Sequence, residues 1–299
     1  MSGVPYRAGF VAVVGRPNVG KSTLINALIG SKVSIVTAKP QTTRHRILAV
    51  HTTAAVQIVF VDTPGLHREV RRAMNRLMNR AAANALADAD IILFVTEATR
   101  WTDEDADVLA RIESAGLPAI AVLNKIDLVH PKVRLLEALD TMSARHPFAE
   151  IVPISARKHD NLDALLELLP AHLPESPPLF PADMRTDRGV EFHAAEVIRE
   201  KLTLLLHQEL PYGLTVQIER YLTEEAGITL HAVIWVERES QKGIVVGKGG
   251  RLLKQVGKAA RHELKDRLGR PVHLELWVKV RENWVDNEKD LLSLGYETR

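Results

Sequence analysis

Apolar residues follow one rhythm in the first half of the chain and another in the second. In the first half they fill consecutive positions in short, β-branched-rich runs at residues 10–14, 56–61, 91–95, 119–123 and 151–154. Strands buried on both faces of a parallel sheet read this way. Between most of these runs the apolar positions take helical spacing, over residues 24–29, 71–86, 103–114 and 133–145, and residues 161–169 read as a last helix. Strand and helix in alternation predict an α/β domain, an open and mostly parallel sheet with right-handed crossovers.

The pattern breaks at residues 172–181, which hold four prolines in ten positions. That density stops helices and sheet interiors and favours a stiff extended linker. The expected division is 1–173, a linker 174–186, and 187–299. Beyond the linker the order changes to a helix over residues 190–209, strands at 215–222 and 228–236 turning at Gly227, two helical pieces, and a strand at 272–280. This is a smaller α+β unit.

Composition narrows the class. At 299 residues the chain has room for about two domains. With 46% hydrophobic and 25% charged residues it reads as an ordinary globular protein. The absence of cysteine excludes disulfides and thiolate metal sites and suits a reducing cytoplasm. No apolar run approaches the about 18 residues of a membrane span, and the first residues lack a signal-peptide build. A cytoplasmic, monomeric protein is the expectation. Net charge is only +2, so an anionic partner needs a local basic patch.

Such chemistry is concentrated in a few strings. Gly15-Arg16-Pro17-Asn18-Val19-Gly20-Lys21-Ser22 fits G-x-x-x-x-G-K-[ST] between a strand and the helix entered at Thr23. Its glycines let backbone N–H groups wrap phosphate oxygens, and the helix N-terminus adds its dipole. Lys21 is suited to the β- and γ-phosphates and Ser22 to Mg²⁺. Asp62-Thr63-Pro64-Gly65 follows a strand, placing Asp62 for Mg²⁺ and the Gly65 N–H for the γ-phosphate. In Asn124-Lys125-Ile126-Asp127 the Asp127 carboxylate can accept from guanine N1 and N2 and would repel adenine N1. Lys125 would lie along the base, Asn124 would tie loops together, and in Ser155-Ala156-Arg157 the Ala156 N–H would serve guanine O6. Each short string alone can be an ordinary turn. Four in this order, each at the carboxyl end of a strand, point to a guanine nucleotide.

The first half thus resembles a Ras-like P-loop GTPase domain of the translation-factor-related class. The resemblance implies a threonine closing over Mg²⁺ and the γ-phosphate; Thr43 is favoured because arginine follows it, with Thr42 the alternative. Leu66 stands where many such enzymes carry a water-orienting glutamine, so slow intrinsic hydrolysis is expected. In similar GTPases an asparagine at the position of Asn18 helps bind K⁺, and otherwise Asn18 is a turn residue. The catalytic set is then Lys21, Thr43, Asp62, Gly65 and Asn18. Arg44 and Arg46 read as solvated surface charges, with action near the phosphates the alternative.

In the second half, Gly247-Lys248-Gly249-Gly250 contains a G-x-x-G between two helical pieces. With this element order it resembles a type II KH domain, whose loop clamps a single-stranded nucleic-acid backbone. Residues 242–270 carry nine Lys or Arg against two acidic residues. Arg251, Lys254 and Lys258 recur at three- and four-residue spacing and share a helix face. The candidate RNA-binding set is Gly247, Lys248, Gly249, Gly250, Arg251, Lys254 and Lys258.

The combination resembles the Era family, bacterial GTPases of ribosome assembly. GRPNVGKS, QTTRHR, DTPGLH, NRLMNRAA, TRWT, NKID, the GKGG loop and PVHLELWVKV carry the likeness over nearly the whole chain. The resemblance implies binding to small-subunit (16S) ribosomal RNA near its 3′ end during maturation of the 30S subunit. It also implies a peripheral fraction at the cytoplasmic face of the inner membrane. The histidines show no metal-ligand spacing. Trp235 and Trp277 are expected in the core, Trp284 in a packing role, and residues 74–78 on the buried face of an amphipathic helix.

Overall fold

The computed structural model describes residues 5–40, 42–64, 72–206 and 210–296. Gly65, Leu66, Arg71 and the last residues of the helix expected over 190–209 lie outside that set.

The first half is a six-stranded sheet in the order β2-β3-β1-β4-β5-β6. Its strands are β1 (Arg7–Val14), β2 (Ile47–Thr52), β3 (Val56–Asp62), β4 (Ile91–Glu97), β5 (Ala119–Asn124) and β6 (Glu150–Pro153). All pairings are parallel except β2 with β3. The consecutive apolar positions have a simple cause. Val11 and Val13 face the cluster formed with α1 (Lys21–Ile29) and α5 (Leu162–Leu168). Ala12 and Val14 face the opposite cluster, with α2 (Ala73–Ala87) and α3 (Asp103–Ala115). The remaining helix of this half is α4 (Arg134–Ser143).

Strand β2 is an addition to the elements expected from the apolar pattern. It pairs antiparallel at the sheet edge and turns back into β3 through Thr53, whose N–H donates to Val56 O at 2.8 Å. The proline-rich segment is extended, but it is not a free spacer. Ala8 N–H donates to Pro174 O (3.2 Å), and the buried Gln57 amide accepts from Leu179 N (2.7 Å) and Phe180 N (2.8 Å). Val50 N–H donates to Arg185 O at 2.9 Å, so the segment straps the edge of the sheet.

The second half contains α6 (Val190–Leu205), β7 (Leu214–Glu224), β8 (Gly227–Val236), α7 (Glu239–Val246), α8 (Arg251–Leu268), β9 (Val272–Val280) and α9 (Glu288–Ser293). Its sheet runs β7-β8-β9, antiparallel then parallel. Residues of α6, α7 and α8 share a core with Leu230, Ala232, Ile234 and Val236 of β8, one face of the sheet. The other face corrects an expectation. Trp277 is 40% exposed there and Trp235 half-buried, because alternate residues of a strand point to opposite faces and the helices cover only one. Trp284 is fully buried, as a packing residue should be. It lies with Val285, Leu291 and Tyr296 against Ala73, Met74, Leu77 and Met78, so α2 buries its apolar face on the C-terminal segment.

Candidate functional site

At the carboxyl ends of the central strands a cavity of about 610 Å³ opens, the size of a nucleotide-scale ligand pocket. Pro17, Asn18, Gly20, Lys21, Ser22, Thr23, Thr42, Thr43, Asn124, Lys125, Asp127, Ala156 and Arg157 line it, along with Ile35, Val36, Thr37, Ala38 and Leu128. Strings scattered over the sequence meet in one place.

The phosphate loop needs its glycines. Gly20 has φ +104°, and a Cβ there would lie 2.4 Å from Asn124 Nδ2; at Gly15 it would lie 2.3 Å from Val95 O. Asn18 also takes a positive φ, +64°. Lys21 is buried and donates to Gly15 O (2.9 Å) and Arg16 O (3.0 Å). Burial lowers its pKa to about 8 against the opposing pull of Asp62. A phosphate nearby would favour the charged form further. The Arg16 side chain is engaged elsewhere, with Nε 3.0 Å from Asp105 and Nη2 3.1 Å from Glu97, and does not line the cavity.

Beneath the cavity lies a cluster of oxygens. Ser22 Oγ donates to Asp62 Oδ2 at 2.9 Å, and Thr43 Oγ1 lies 2.8 Å from Ser22 Oγ. Asp62 is fully buried, which raises its pKa; Ser34, Lys21, Ser22 and Thr43 oppose the rise. Among the described residues, no donor reaches its Oδ1 in hydrogen-bonding geometry. The two candidate threonines are separated by this arrangement. Thr42 Oγ1 bonds Thr37 Oγ1 (2.6 Å) and Lys39 O (2.7 Å), away from the cluster. Thr63 faces the sheet instead, donating to Val13 O at 2.9 Å.

The base end is built by Asn124. Its Nδ2 donates to Val19 O (2.8 Å), and its Oδ1 accepts from Lys125 N (2.8 Å) and Ala156 N (3.0 Å). It ties three loops, as expected, though the Ala156 N–H is directed to Asn124. Lys125 spans the cavity rim to Asn18 O (2.8 Å) and to Glu97. Ser155 Oγ donates to Asp127 Oδ1 at 2.6 Å and fixes the carboxylate.

Around the second glycine loop, Gly247, Gly249 and Gly250 have φ of +71°, +61° and +75°. A Cβ on Gly247 would approach Leu252 Cβ to 2.9 Å. Lys248, Arg251, Lys254 and Lys258 are all exposed, and Ile244 beside them is 56% exposed.

The segment between α1 and β2 carries another correction. Arg44 is not a solvated charge: it is 4% exposed and donates to Leu214 O (2.7 Å) and Tyr212 O (3.3 Å) in the second half. His45 stacks on Tyr296 at 4.5 Å and is half-buried, and desolvation lowers its pKa to about 4. Arg46 is half-buried, with Nη2 3.3 Å from Asp88. Lys32, Val36 and Thr42 all bond residues of α6.

Comparison with known proteins agrees with both domains. Residues 10–125 match the family model described as 50S ribosome-binding GTPase, and residues 209–285 match the KH domain model. The chain is 48% identical over 297 residues to GTPase Era of Cronobacter sakazakii, covering 99% of each. It is 48% identical to GTPase Era of Yersinia pestis, covering 96% of this chain and 95% of that one. A crystal structure of Era in complex with MgGDPNP and nucleotides 1506–1542 of 16S ribosomal RNA superposes with a TM-score of 0.94 at 42% identity, covering 97% and 99% of the two chains. A single-substitution variant of Aquifex aeolicus Era bound to GDP·AlF4⁻ gives 0.93 at 42% identity, with the same coverage. Nearly full-length identity, the phosphate loop, the guanine-reading loop and the KH unit together establish that this chain belongs to the Era family of GTPases.

Proposed function

We propose that this GTPase is a slow switch that grips 16S ribosomal RNA near its 3′ end and assists maturation of the 30S subunit. One observation carries the reading. The whole chain, not one domain, follows the fold of a relative crystallised with a GTP analogue and a 16S fragment. The match to a model described by the 50S subunit spans only residues 10–125 and leaves out the RNA-binding half. In binding assays, a 3′-terminal 16S fragment should outcompete an unrelated RNA of equal length and charge. Equal competition would sink the reading.

Magnesium fits the oxygen cluster. Ser22, Thr43 and Asp62 supply hard oxygen donors, and Asp62 Oδ1 is a buried acceptor that no donor among the described residues satisfies. When bound, the ion neutralises phosphate charge. The chain's own groups do the rest. Lys21 and the loop amides bind the β- and γ-phosphates, Gly65 is assigned to the γ-phosphate, Asp127 and Lys125 orient guanine, and Ala156, its N–H taken by Asn124, lines the cavity beside them. Thr43, rather than Thr42, is the switch threonine because it alone of the two reaches Ser22. Chelating Mg²⁺ should abolish turnover.

With Leu66 in place of a glutamine, we assign Asn18 to a K⁺ site, supported by its placement on the cavity wall. Turnover at equal ionic strength should be faster in KCl than in NaCl; equal rates remove K⁺. The division at 174–186, a monomeric state and a cytoplasmic protein with a peripheral membrane fraction complete the proposal. Family likeness alone supports membrane attachment, and among the described residues no helix is long and apolar enough to span.

A further inference from the structure

Thr43 sits between two residues that the C-terminal domain holds. On one side, Arg199 of α6 donates through Nη2 to the carbonyl of Thr42. The same guanidinium is braced by Glu196, with Nε 2.7 Å from Oε1 and Nη2 2.6 Å from Oε2. Arg199 is 2% exposed and Glu196 7%. On the other side, Arg44 donates to Leu214 O at 2.7 Å. The carbonyl before Thr43 and the side chain after it are therefore held from outside the GTPase domain.

Only arginine can do this with one side chain. Its planar fork carries five donors, enough to take a carboxylate in a bidentate grip and still reach a carbonyl. The pair with Glu196 keeps the charge compensated where burial would otherwise penalise it. The next residue of α6, Glu200, accepts from Val36 N (3.1 Å) and Lys32 Nζ (2.7 Å), so two adjacent residues of one helix hold the loop at three points.

We propose that Arg199 is a positioning residue for GTP hydrolysis, acting through the Thr42 carbonyl to hold the Thr43 hydroxyl over Ser22 and Asp62. The inference rests on the reading of Thr43 as the switch threonine. It assigns the RNA-binding half a direct hold on the metal-facing loop. Misplacing a positioned group by about 1 Å can slow a reaction about 100-fold.

The test uses the full chain with Arg199→Ala, Arg199→Lys and Thr43→Ala. Turnover is followed against Mg²⁺ concentration, and GDP affinity is measured with a fluorescent GDP. Arg199→Ala should lower kcat about tenfold or more and raise the Mg²⁺ needed for half-maximal turnover, leaving GDP affinity within about twofold. Arg199→Lys, which keeps the cation beside Glu196 but loses the fork, should fall between; it carries the test if the alanine variant does not fold. Unchanged kcat and Mg²⁺ requirement in the Arg199 variants overturn the proposal. So does a parallel loss of GDP binding in both, which marks a merely structural role. If Thr43→Ala leaves kcat unchanged, the reading of Thr43 fails; if Thr43→Ala slows turnover and the Arg199 variants do not, only the positioning role fails.

Discussion

The ammonium of Lys32 lies 2.7 Å from the carboxylate of Glu200, joining the turn after α1 to the first helix of the RNA-binding half. The same ammonium is 2.8 Å from Glu263 on α8, the helix that begins with Arg251, Lys254 and Lys258. Lys201 pairs with both carboxylates, and Arg267 Nη2 donates to Lys32 O at 2.5 Å. Lys32→Met should therefore weaken domain docking without unfolding either half. Lys32 is about one-third exposed and Glu200 keeps Lys201, so the loss is about 1 kcal/mol. Calorimetry at low and high salt checks it: docking in the natural chain should weaken with salt, and the variant should respond less.

Asp127→Asn should exchange the base preference. The amide replaces one acceptor oxygen by a donor, which opposes guanine N2 and suits the extra carbonyl of xanthine. GTP affinity should fall about 100-fold or more, two such hydrogen bonds to a charged group being worth about 3 kcal/mol or more together. Competition between GTP and XTP reads the switch directly. Retained GTP preference would contradict the role of this carboxylate.

Lys248→Ala should weaken RNA binding about equally for all sequences, since its exposed ammonium is placed for a phosphate. The slope of log affinity against log salt should drop by about 1. Turnover without RNA should be unchanged. Gly247→Ala acts differently: at φ +71° and ψ 169°, with Leu252 Cβ only 2.9 Å from the new methyl, it should cost about 1–3 kcal/mol of domain stability.

Trp284→Ala should detach the C-terminal segment from α2. The fully buried indole packs with Met74, Leu77 and Met78, and truncating such a residue costs about 3–5 kcal/mol. Limited proteolysis should then cut the segment following β9 before either domain core.

The chemistry is legible in the sequence where it is local. A phosphate loop keeps its two glycines, lysine and serine within one eight-residue string, so Gly15 to Ser22 stands out. Strand β2 escapes because its turn, Thr53-Ala54-Ala55, lacks the glycine or proline that punctuates most hairpins. Helix α9 does carry a signal: Asn287 caps it, accepting from Lys289 N and Asp290 N. Arg44 cannot be placed from its neighbours. Its partners, Tyr212 and Leu214, are remote in sequence, and an arginine between polar residues reads as solvated. Trp277 is legible. Alternation in β9 puts Val272, Leu274, Leu276, Val278 and Val280 on one face, which the helices cover, and Trp277 with His273, Glu275 and Lys279 on the other; judging tryptophan by residue type overrides that pattern.

The central claim is that nucleotide state and RNA grip are coupled through the loop between α1 and β2. Its most direct test is the affinity of the full chain for a 3′-terminal 16S fragment, measured with GDP and with a non-hydrolysable GTP analogue at one salt concentration. The account predicts a difference of about fivefold or more, the lower end of ordinary allosteric coupling. Equal affinities with the two nucleotides would contradict it.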